Sequence, residues 1–98
     1  MKTPAQSPWT FFTNHGHVLV CLFTHPGIIL RDVASWVGIT ERMTQRIVRD
    51  LVDSGIVSKH KVGRVNSYVV NAKAPLRHPL EAHRTVGELL EFLLTNRK

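Results

Sequence analysis

Cysteine is almost missing from this 98-residue sequence: there is one, Cys21. With no partner for an intrachain bond it excludes a disulfide scaffold, and its place in the run Val18 to Phe23 predicts a buried structural thiol. That run is also the longest uninterrupted apolar stretch, far too short to cross a bilayer. The opening "MKTPAQSPWT" has neither the apolar core nor the small-residue cleavage site of an export signal, so a cytoplasmic protein with no membrane association is expected. Gly-rich phosphate loops, a Gly-x-Ser-x-Gly elbow and a His-Glu-x-x-His pair are all absent, and no enzyme is expected.

Negative charge is scarce as well. Seven acidic residues stand against thirteen basic ones, a formal charge of +6. Such a balance favours polyanionic partners, although net charge alone suits a membrane surface or a merely soluble basic domain equally well. Its distribution says more. Between Arg42 and Arg64 lie six basic residues (42, 46, 49, 59, 61 and 64) and two acidic ones, Asp50 and Asp53, so this quarter of the chain carries +4 of the +6.

The apolar fraction of 43% is ordinary for a globular chain, and the length suits one domain with a single core. Residues 1–12 read as an N-terminal arm, loose at first and then anchored by Trp9, Phe11 and Phe12. A first helix follows over 14–24, capped by Thr13 or Asn14 and stopped by His25-Pro26-Gly27. "LRDVASWVG" gives a second helix closed by a left-handed Gly38. A third begins at once, with Thr40 as its cap, Glu41 in the first turn and Gly55 at its end.

Two short helices joined only by "GIT" are the sequence form of a helix-turn-helix. The period then changes. "IVSKHKVGRVNSYVVN" predicts strands near 56–61 and 67–71 around a Gly63-Arg64 turn. The expected fold is therefore mainly α with a small β-hairpin, a winged helix-turn-helix over residues 13–71. Residues 72–84, with two prolines, read as a linker held against the domain by Leu76 and Leu80. A C-terminal helix over 85–98 opens with a Thr85-x-x-Glu88 capping box.

On a wheel of roughly 100° per residue, Thr44, Ile47, Val48 and Leu51 share one arc of the third helix, and Arg42, Gln45, Arg46 and Arg49 the opposite one. Asp50 and Asp53 are expected toward the edge of that cationic stripe. Solvated helix faces usually alternate sign three or four residues apart, and like charges at that spacing cost a few tenths of a kcal/mol per pair. An external anion would compensate. Duplex DNA fits, because an arginine can make two hydrogen bonds to a guanine edge and Gln45 can address adenine in the same way. Thr40 and Arg42 lie at the end that reaches bases first. Lys59, His60, Lys61 and Arg64 make the hairpin basic, suiting it to phosphates or to a narrow minor groove.

The stretch from Leu30 to Val70, with its "GIT", "LVDSGIV" and "VGRVNSY" segments, resembles the winged helix-turn-helix domain of bacterial and archaeal transcription regulators of the MarR-like and ArsR-like kind. That resemblance implies a recognition helix at about 40–54 in the major groove and a wing at 57–70 on the backbone or minor groove. Carried over by position, Thr40, Arg42, Gln45, Arg46 and Arg49 face DNA, with Arg64 at the wing tip; the basic character of the hairpin adds Lys59 and Lys61 to the expected DNA-binding residues. Thr44 departs from the pattern, standing where an aliphatic residue is common.

The resemblance also implies a homodimer. The terminal helix carries Val86, Leu89, Leu90, Leu93 and Leu94 on one face, which either completes the subunit's core or pairs with a second copy; pairing is the expectation. No cofactor and no metal are expected: His15-x-His17 could bring two rings together, but zinc or copper sites need three or four converging ligands. The competing reading is a winged-helix module for protein partners, with a metal-responsive regulator behind it.

Overall fold

Three helices pack first, then a hairpin, then a last helix. The structure, a computed structural model, describes residues 8–95; residues 1–7 of the expected arm and 96–98 of the expected last helix lie outside them. The elements run α1 (Asn14–Thr24), α2 (Leu30–Val37), α3 (Glu41–Asp53), β1 (Val57–Val62), β2 (Val65–Val70) and α4 (Val86–Leu94). Among the described residues no helix is long and apolar enough to cross a membrane.

The helix-turn-helix depends on one left-handed residue. α2 ends at Gly38, φ +88°, whose N–H donates to the Ala34 carbonyl at 2.8 Å, followed by Ile39 N–H to the same oxygen at 3.0 Å. The chain can then restart at Thr40, whose Oγ1 accepts the Met43 N–H at 3.0 Å and caps α3. α3 closes at Gly55, φ +79°, where Ile56 N–H reaches back to the Leu51 carbonyl at 3.0 Å.

Val18 and Leu22 of α1, Val33 of α2, and Ile47, Val48 and Leu51 of α3 meet in a single core. Full burial of such side chains is worth about 1.5–3 kcal/mol each. Thr44 sits among them with no exposed surface. Its hydroxyl donates to the Thr40 carbonyl at 2.9 Å, which explains how a polar residue takes a position that favours an aliphatic one.

β1 and β2 pair antiparallel from Val57↔Val70 out to Val62↔Val65. The strands reach nearer the tip than the sequence suggests, because Gly63 at φ +65° lets a two-residue turn close directly on Val62 and Val65. Val57 and Tyr68 root the hairpin in the core, and Tyr68 N–H donates to the Pro26 carbonyl at 3.0 Å, tying it to the loop after α1.

The expected linker is a tied loop. Leu76 N–H bonds to the Arg84 carbonyl at 2.9 Å, and Pro75 bridges Thr85, so its two ends meet. Leu76 is half-buried as expected, but Leu80 is 83% exposed and holds nothing against the domain. It sits beyond the closed neck of the loop, where the core does not reach. α4 then opens with the full capping box: Thr85 Oγ1 accepts the Glu88 N–H at 3.1 Å, and Glu88 Oε1 accepts the Thr85 N–H at 2.9 Å. Of the arm's aromatics, Phe12 lies over Gly16 of α1, while Trp9 and Phe11 stack edge to face, 5.1 Å between ring centres, and stay largely exposed.

Candidate nucleic-acid interface

α3 is amphipathic in a strict sense. Thr44, Ile47, Val48 and Leu51 are buried, and Arg42, Gln45, Arg46 and Arg49 are all exposed. Thr40 is exposed too, though its hydroxyl already accepts the Met43 N–H and its carbonyl already serves Thr44. The buried side fixes the rotation of the helix, so the cationic side has one orientation available to it.

Among the described residues the ion pairs are His15–Asp50 at 2.9 Å and Arg84–Glu88 at 3.2 Å. No carboxylate of this set therefore pairs with Arg42, Arg46 or Arg49. Asp50 is held by a histidine of α1 instead, a contact 35 residues apart in sequence that no local spacing signals. Asp53 lies off the expected edge. At roughly 100° per residue it falls close to the line of Arg42 and Arg46, at the C-terminal end of the helix, and not at the stripe's edge. It makes no ion pair with Arg49, four residues earlier, and the first three turns of the stripe carry no acid.

The hairpin divides its side chains by strand alternation. Lys59 and Lys61 stand on the face of β1 that also bears Val57, opposite Tyr68 and Asn66 respectively, and both are exposed. His60 falls on the other face, where its Nε2 lies 2.9 Å from the Ser58 hydroxyl. Arg64 is exposed in the turn beside Gly63. α3 packs against β1, so the arginine stripe and the basic hairpin belong to one rigid unit.

Burial sets the chemistry of the groups behind this surface. It pushes the Cys21 thiol above its ordinary range, which leaves little thiolate for reaction, and it raises the Tyr68 phenol in the same way. On α4 the Glu88 carboxyl is held below its usual range, chiefly by the Thr85 backbone N–H it accepts.

The leucine face of α4 is divided between the interior and the surface. Val86 and Leu90 are each 1% exposed and belong to the subunit's own core, which removes them from any surface offered to a second copy. Leu89, Leu93 and Leu94 are half-buried, and Phe92 is 80% exposed. Beside Leu89 an open cleft of about 810 Å³ runs between Phe12, Leu19, Leu76 and the far end of α3 at Asp50 and Leu51.

No protein-family model matches the chain, and neither does any curated protein. Among solved structures it is similar to a MarR family protein of Mycobacterium tuberculosis, crystallised in complex with salicylic acid. The two share 23% sequence identity with a TM-score of 0.52, over 62% of this chain and 48% of that one. The chain thus spans about half the length of the structure it matches. Three packed helices, the antiparallel hairpin and this likeness define the fold as a MarR-like winged helix-turn-helix.

Proposed function

We propose that this chain is a sequence-specific double-stranded DNA-binding transcription regulator that acts as a homodimer. α3 enters the major groove with Thr40, Arg42, Gln45, Arg46 and Arg49 toward the bases, and Lys59, Lys61 and Arg64 of the hairpin take the flanking backbone or minor groove. The observation that carries this reading is the arginine face of α3, exposed along its length and unmatched by carboxylates among the described residues. Cations three and four residues apart repel one another, so the face is at its most stable when an outside anion covers it. A bidentate arginine–guanine contact contributes about 1–3 kcal/mol of base discrimination, which a membrane surface or a generic polyanion does not reward.

Pairing uses what α4 leaves over. With Val86 and Leu90 spent inside the subunit, Leu89, Leu93 and the exposed Phe92, within about 100° of one another on the helix, form the face for a second copy; Leu94 falls on the far side of the buried pair. Two-fold symmetry would set two α3 helices about 34–36 Å apart and imply an inverted-repeat site.

Selection of bound sequences from a random duplex pool tests the reading. The expected result is a short inverted repeat; Arg46→Ala then relaxes the preference at one position, while Arg64→Ala weakens all duplexes alike. Wild-type binding of the selected duplex by both variants would sink the assignment of surfaces. A pool that yields no preferred duplex would favour a protein partner for the same face.

A further inference from the structure

Among the described residues, Met43 is the one large apolar side chain of α3 that stands exposed, at 43%. It belongs neither to the core cluster nor to the half-buried residues packed against it. Ile47, one turn on, fills the neighbouring core position at 1% exposure, so the interior is complete without the methionine.

Met43 sits in the first turn of α3, where Thr40 Oγ1 fixes its backbone N–H at 3.0 Å. Three residues on is Arg46 and four on is Ile47, so it stands where the cationic face meets the dry one. A helix that enters the major groove with its N-terminal end leading brings the exposed side chains of its first turn toward base edges. Around it, Arg42, Gln45 and Arg46 offer donors and an acceptor. Methionine offers no donor and only a weak acceptor, on an unbranched and polarizable chain that adapts to the surface it meets.

The major groove presents one apolar group, the 5-methyl of thymine. We propose that Met43 reads that methyl at a fixed thymine, adjacent to the bases addressed by Arg42 and Arg46. The inference rests on the DNA-binding reading above and adds a determinant of a different chemical kind. It needs no hydrogen bond, and contact between the two apolar groups removes both from water.

Deoxyuridine isolates the methyl, because it retains the pairing edge of thymine and lacks only that group. Each thymine of the duplex selected from the random pool is replaced in turn, and binding by the wild type, Met43→Ala and Met43→Leu is measured. At one thymine of each half-site the wild type is expected to weaken about four-fold, the worth of one methyl withdrawn from water. Met43→Ala should lose nothing further there, and Met43→Leu should keep most of the sensitivity. The proposal is overturned if no thymine is sensitive in the wild type, if Met43→Ala stays equally sensitive, or if the selected duplex holds no fixed thymine. Failure of the parent reading shows earlier and separately, as a pool from which the wild type selects nothing.

Discussion

Adding a single methyl group at Gly87 tests how α4 is held to the rest of the subunit. Gly87 lies in the first turn of α4, and its N–H donates to the Ala72 carbonyl at 2.9 Å. A Cβ built there would stand 2.8 Å from Ala72 Cβ, 2.9 Å from its carbonyl oxygen and 3.3 Å from its Cα. Two of these three are backbone atoms, so no rotamer change relieves the clash. In an open helix, Gly→Ala stabilises by roughly 0.5–1 kcal/mol, and less so close to the helix start. Forcing extra carbon into a closed contact costs about 1–3 kcal/mol, so the second effect wins. Gly87→Ala is therefore expected to destabilise by about 1–2 kcal/mol, a fall in melting temperature of about 4–8 °C per kcal/mol for a chain of this size. Urea unfolding followed by circular dichroism measures it. Ala72→Gly in the same chain should restore only part of the loss, since the carbonyl contact persists. A Gly87→Ala protein as stable as the wild type, or more so, would refute the close seam between α4 and the loop that follows the hairpin.

Three further outcomes follow from the same contacts. Leu90→Ala should cost about 2–5 kcal/mol of subunit stability, because the side chain is fully enclosed, whereas Phe92→Ala should change stability by less than about 0.5 kcal/mol and raise the dimer dissociation constant in sedimentation experiments. The Glu88 carboxyl, depressed by the Thr85 N–H, stabilises the fold above the ordinary glutamate range, about 4.3, and ceases to do so as pH falls through its lower folded value. Urea melts at pH 3 and pH 7 should therefore show a larger acid loss in the wild type than in Glu88→Gln, whose amide keeps the cap without titrating. Arg42→Ala should relax sequence preference at an operator position different from the one relaxed by Arg46→Ala, read by competition among single-base variants.

Much of this architecture was legible because its signals are local. Gly38 and Gly55 mark helix ends where a left-handed residue is required, Thr40 and Thr85 announce caps through oxygen placement, and the period of α3 alone separates its two faces. The arginine stripe could be read from spacing, and its residues do lie exposed on one side. What sequence did not reveal depends on contacts between distant segments. His15 reaches Asp50 across 35 residues, the ends of the 76–84 loop meet through backbone groups that any sequence carries, and Leu80 projects beyond that closed neck. The division of the α4 leucines between core and surface was equally hidden. A leucine-rich face has the same periodicity whether it meets its own subunit or another, and only the packing assigns Val86 and Leu90 to the interior.

If nucleic acid covers the arginine face of α3, binding must respond to salt. Binding of the wild-type protein and of an Arg42→Ala/Arg46→Ala/Arg49→Ala variant to random-sequence duplex is followed by fluorescence anisotropy at stepwise ionic strength. For the wild type, the logarithm of affinity should fall linearly with the logarithm of salt, with a slope of about −0.9 for each phosphate neutralised, and the variant should show both weaker binding and a shallower slope. A flat salt response, or a variant indistinguishable from the wild type, would contradict the account.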